Sequence, residues 1–76
     1  MKPYQDYITS DPSICHGLPC VKGTRIPVSV VLDNLAEELS LLELQASYPS
    51  LTRESIHAVL AYAADLAREE VISLTA

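Results

Sequence analysis

Gly17-Leu-Pro-Cys-Val-Lys-Gly-Thr-Arg-Ile-Pro-Val28 holds both glycines of the chain and two of its five prolines. Gly17 and Gly23 supply backbone conformations with positive φ that a side chain would penalise. Pro19 and Pro27 fix their own φ and push Leu18 and Ile26 toward extended geometry. Cys20-Val21 and Arg25-Ile26 are then short extended pieces that Lys22-Gly23-Thr24 folds against each other. The stretch reads as a tight β-ribbon that delivers the chain into a helix at Val28. It contains no catalytic constellation, so it reads as a platform.

Upstream, Tyr7-Ile8-Thr9 has strand-forming residue types, and Ser10-Asp11-Pro12 stops it as a turn. With the ribbon this predicts a three-stranded antiparallel arm over residues 1–27 and no helix before Pro19. The exposed edges of so small a sheet invite pairing with a second copy.

Downstream the period becomes helical. Val28, Val31, Leu32, Leu35 and Leu39 form one apolar stripe, with Asp33, Asn34, Glu37 and Glu38 opposite, which predicts a helix over Val28–Leu39. Ser40-Leu-Leu-Glu43 matches a capping box, with Leu39 and Leu44 at the staple positions, so a second helix runs Ser40–Ala46. Pro49 ends it through Tyr48. Thr52 is the N-cap of a third helix, Thr52–Glu69, with Leu51 and Ile56 as its staple. Ile56, Val59, Leu60, Ala63 and Ala67 are its expected core face. Ala58, Tyr62 and Leu66 make a second apolar patch, which either marks this helix as the central one of a small bundle or meets another chain.

Seventy-six residues allow one domain, 1–76, with a helical part over 28–76. A chain this short buries only about 60% of its unfolded surface, so a partner or a second copy is a natural supplement. Hydrophobic residues make up 49%, too many for a disordered chain. The formal net charge of −5 opposes non-specific binding to nucleic acid. No apolar run reaches the roughly 18–20 residues of a membrane span, and none near the start reads as a signal peptide, so the expected location is the cytoplasm.

Cys15 and Cys20 read as reduced thiols in that compartment. Zinc needs four ligands at recognisable spacing, and His57 is far from these cysteines, so no metal or cofactor is expected. Asp6, Asp11, Asp33, Glu43 and Glu54 offer no spacing that forces two carboxylates onto one site. No G-x-S-x-G elbow or phosphate-binding glycine loop is present. The chain is not expected to be an enzyme.

The second helix, the turn and the third helix resemble a helix-turn-helix, in which Arg53, Ser55 and His57 are the residues placed to contact DNA. One Arg and one His beside Glu54 make a sparse reading set. Arg25 either pins the arm to the first helix through Asp11 or Asp33 or meets a partner.

Asp11-Pro12, Gly17-x-Pro19-x-Val21-x-Gly23-Thr24-Arg25-Ile26-Pro27-Val28, Tyr48-Pro49-x-Leu51-Thr52 and Ile56-x-Ala58-x-Leu60-x-Tyr62 together resemble the prokaryotic family called domain of unknown function 433. The resemblance runs from about Tyr7 to Leu66. It implies a mainly α, homeodomain-like three-helix domain with an N-terminal β-arm, often dimeric. It also implies an antitoxin-like role, many members being encoded beside a PIN-like presumed ribonuclease. On that basis Arg25, Ile26, Tyr62 and Leu66 are the candidate partner or dimer interface, and inhibition by occlusion of a toxin is the expected function. A DNA-binding repressor, or a dimerisation module with no toxin, are the rival readings. One residue departs from the family pattern: Glu38 stands where glycine is usual, and this predicts a strained or displaced end to the first helix.

Overall fold

The computed structural model describes residues 4–69; the expected helical part therefore has residues 70–76 outside the described residues. Two short strands, β1 (Ile8–Thr9) and β2 (Cys20–Val21), precede three helices: α1 (Val28–Ala36), α2 (Leu41–Ser47) and α3 (Arg53–Glu69). The fold is mainly helical with a small antiparallel sheet, as the residue patterns predict.

The platform folds through one turn. Gly23 takes φ 82, and Thr24 N–H donates to Val21 O at 3.0 Å. Thr24 Oγ1 donates back to Val21 O at 2.7 Å and accepts from Ile26 N–H at 3.0 Å. Val21 N–H reaches Ile26 O at 3.0 Å, and Val28 N–H reaches Pro19 O at 2.9 Å. Arg25-Ile26 nevertheless forms no strand. The described sheet has two strands, β1 pairing with β2 in the register Ile8–Val21 and Thr9–Cys20, and Pro27 adds only an isolated bridge to Cys20. Pro27 lacks the N–H a third strand would need, which is why the ribbon turns into α1 instead.

The expectation of no helix before Pro19 is corrected. Tyr4–Asp6 is a single turn of 3-10 helix, and Cys15–Gly17 is a 3-10-type turn kinked at His16, φ 55; they are closed by Tyr7 N–H to Tyr4 O at 2.9 Å and Gly17 N–H to Ile14 O at 3.1 Å. Asp11 organises the loop between them, accepting from Ser13 N–H at 2.8 Å and Ser13 Oγ at 2.7 Å. Such turns need only one bond each and carry no periodic apolar signature.

Helix α1 ends at Ala36, three residues before Leu39. Glu38 N–H bonds to Leu35 O at 3.0 Å and Leu39 N–H to Asn34 O at 3.2 Å. That bond pair is a Schellman ending with Glu38 at its left-handed position, φ 69. A residue with a Cβ is strained there by about 1 kcal/mol relative to glycine. Glu38→Gly is therefore expected to raise the melting temperature by about 4–8 °C. A thermal melt with no increase would show that glycine's greater unfolded-state freedom cancels the relief.

Helix α2 has the predicted capping box. Glu43 N–H donates to Ser40 Oγ at 3.1 Å, and Ser40 N–H donates to Glu43 Oε1 at 3.0 Å. The core is a single cluster of Val21, Val28, Val31, Leu44, Leu51, Ile56 and Val59. Both staples therefore end in the core, Leu44 for α2 and the pair Leu51–Ile56 for α3.

Candidate functional site

What α3 leaves uncovered defines the surface on offer, so its cap and rotation come first. Thr52 Oγ1 accepts from Ser55 N–H at 3.0 Å, and Ser55 Oγ accepts from Thr52 N–H at 2.9 Å. Serine thus takes the reciprocal role that glutamate or glutamine usually fills. Ser55 Oγ also donates to Thr52 O at 2.9 Å, and the residue is only 4% exposed. Its hydroxyl is occupied within the cap and turned from the surface where Arg53 and His57 are exposed.

The buried face of α3 is Ser55, Ile56, Ala58 and Val59, with Tyr62 packed against the same cluster. Two members of the expected core stripe point elsewhere: Leu60 is 44% exposed and Ala67 is exposed. The helix is rotated toward Ala58 because a second layer covers that side. The Tyr4–Asp6 turn and β1 pack on α3. Tyr4 meets Tyr62 edge-on, with ring centroids 5.5 Å apart and planes at 74°. Such a pair contributes about 0.5–1.5 kcal/mol beyond its area.

This arrangement changes the second apolar patch. Ala58 is buried and Tyr62 is half-buried against the Tyr4 ring, and of the three only Leu66 is exposed, at 42%. A cavity of about 220 Å³ remains between the arm and α3, lined among others by Tyr4, Ile8, Pro19 and Tyr62. At the end of α3, Asp65 accepts from Arg68, and that bond, followed by one from Tyr4, holds its carboxyl below the usual carboxylate range. Glu43 is likewise held low, first by the Ser40 backbone N–H and then by the Ser40 side chain.

Arg25 is exposed in the loop before α1, while Ile26 is half-buried against the core. The four residues expected to form one interface are thus divided. Arg25 and Leu66 are exposed, and Ile26 and Tyr62 pack against the core cluster. Cys20 is buried in the arm. Among the described residues no cluster of three or more His, Cys, Asp or Glu is arranged to hold a metal ion, and no helix is long and apolar enough to cross a membrane.

Two exposed features were not singled out by the sequence. One is the outward face of α3, where exposed Leu60 and Ala67 and half-buried Ala64 continue the line of Arg53 and His57 at a 4-3-4-3 spacing. The other is Leu42 on α2, 79% exposed. Leu42 lies off the stripe fixed by Leu44, and that position was its available signal; Leu60 and Ala67 fall on the expected core face and carried none.

A family model described as a protein of unknown function (DUF433) matches residues 8–63. The Sinorhizobium fredii protein called uncharacterized protein y4eO is 37% identical over 59 residues, which are 78% of this chain and 27% of that protein. The crystal structure of a DUF433 member protein from Anabaena variabilis is similar with a TM-score of 0.77 and 31% identity, over 86% of this chain and 64% of that one. The chain thus spans about a quarter of the curated relative and under two thirds of the solved one.

Proposed function

The chain belongs to the DUF433 family of proteins of unknown function, and from that premise we propose that it is a non-enzymatic, antitoxin-like protein. In this reading it binds and restrains a PIN-like ribonuclease encoded beside it. The observation that favours protein partners over DNA is the outward face of α3, where Leu60 is 44% exposed and alanines follow it. In a helix-turn-helix this is the helix that would enter the major groove. An apolar midsection there suits a protein partner better than phosphates and base edges. The net charge of −5 points the same way, toward a basic protein and away from nucleic acid.

The spacing of that face also fits self-association. Leu60, Ala64 and Ala67 repeat at the 4-3 spacing of a helix-pairing seam, and the alanines let a second α3 approach closely. A homodimer through α3 is therefore part of the reading. Sedimentation at micromolar concentration should return twice the 8.3 kDa chain mass, and a Leu60→Glu variant should return one chain mass. A wild-type monomer would remove the dimer.

A repressor is the second reading, favoured by the exposure of Arg53 and His57 at the start of α3. The double change Arg53→Ala, His57→Ala separates the two. It leaves Ile56 and Val59 untouched, so the fold persists. Operator binding is expected to weaken, by about tenfold if each residue supplies one phosphate contact, while rescue of growth against the co-encoded toxin is unchanged. Specific operator binding at nanomolar affinity in physiological salt, with no neighbouring toxin, would establish the repressor instead.

A further inference from the structure

Leu42 sits in the first turn of α2 with 79% of its surface exposed, although Leu44 two residues on is fully buried. A lone exposed leucine is unremarkable. Its surroundings are not. Between Ile26 and Thr52 the sequence has four acidic residues, Asp33, Glu37, Glu38 and Glu43, and neither Lys nor Arg. All four are exposed. Glu37 and Glu38 occupy the Schellman turn that leads into α2, and the capping box holds the Glu43 carboxylate at the Ser40 N–H, at the start of the same helix.

We propose that this α1–α2 corner is a docking surface for the basic face of a partner protein, with Leu42 as its apolar anchor and Glu37, Glu38 and Glu43 as its charged rim. An apolar centre ringed by polar groups is the usual anatomy of such a surface. The charge selects among occupants. Nucleic acid and an anionic membrane leaflet are both repelled. A second copy meeting the same corner about a two-fold axis would oppose acid to acid. What remains is a protein surface rich in Lys and Arg with an apolar notch, as a ribonuclease presents to an RNA backbone. The identity of that partner rests on the antitoxin reading; the chemistry of the corner does not. The corner is also separate from the outward face of α3, so one chain can pair with a copy and hold a partner at once.

The test uses the full chain with methyl and amide labels and two probes. The first is a synthetic amphipathic helix of Lys and Leu, titrated at physiological salt. Shifts are expected to centre on Leu42, Glu37 and Glu38. Leu42→Ala should weaken binding by about tenfold. The double change Glu37→Gln, Glu38→Gln should weaken it several-fold and flatten its salt dependence. Shifts centred on α3, or an affinity indifferent to Leu42, would overturn the proposal. The second probe is the product of the neighbouring reading frame. Loss of its binding in Leu42→Ala but not in Leu60→Ala supports the corner as the toxin site. Equal binding by Leu42→Ala and wild type leaves the antitoxin reading standing and overturns the assignment of this surface. Absence of any binding by that product, with the peptide still centred on Leu42, counts against the antitoxin reading and supports the corner.

Discussion

Leu44→Ala is expected to cost about 3 kcal/mol of folding stability and to lower the melting temperature by roughly 12–24 °C. Leu44 is fully buried and belongs to the core cluster of the described residues. It is also the inner half of the staple that fixes how the chain enters α2. Truncation therefore removes buried methyl groups, leaves a cavity and loosens the α1–α2 junction together. A domain of this length has a total stability of only about 4–11 kcal/mol, so the loss is a large fraction of the whole. Leu42→Ala is the control. It is two residues away on the same helix and 79% exposed, so its melt should stay within about 0.5 kcal/mol of wild type. Circular dichroism melts of the two variants decide the matter. Equal melts would mean that α2 is rotated differently about its axis.

The contrast between these two leucines shows where the sequence was legible. The rotation of α2 followed from its capping box, because Ser40 and Glu43 set the first turn and Leu44 had to be the staple. Helix α3 has its own cap and staple, Thr52 with Leu51 and Ile56, but these constrain only its first turn. Its run of alanines has little contrast between faces, and Ser55, counted as a surface residue, is held in by its cap. The true centre of the buried face, between Ser55 and Val59, was therefore displaced toward Leu60 in the reading. Long-range contacts were not legible at all. Nothing near Tyr4 in sequence announces that it will lie against Tyr62, since the contact joins the arm to the far helix. The end of α1 was legible only as a conflict, in that Glu38 occupies a position whose backbone favours glycine, and the structure keeps the turn at φ 69.

The same contact between the arm and α3 decides which substitution tests the interface. Tyr62→Asp would not report on a partner alone. It removes the edge-on pair with Tyr4, strips apolar area from the core margin and places a second carboxylate three residues before Asp65. The lost ring pair contributes about 0.5–1.5 kcal/mol. Burying part of a charge and losing the ring's apolar surface bring the expected cost to about 3 kcal/mol. The melting temperature should fall by roughly 12–24 °C. Tyr62→Phe keeps the ring pair and should melt close to wild type. Leu66→Asp changes a residue that is 42% exposed and only one turn further along α3. Its stability should change by no more than about 1 kcal/mol. Leu66→Asp is thus the substitution in which loss of growth rescue, or of self-association, would locate a contact on this side of α3. If Tyr62→Asp instead melts like wild type, the arm does not seal that face, and Tyr62 returns to the surface open to another chain.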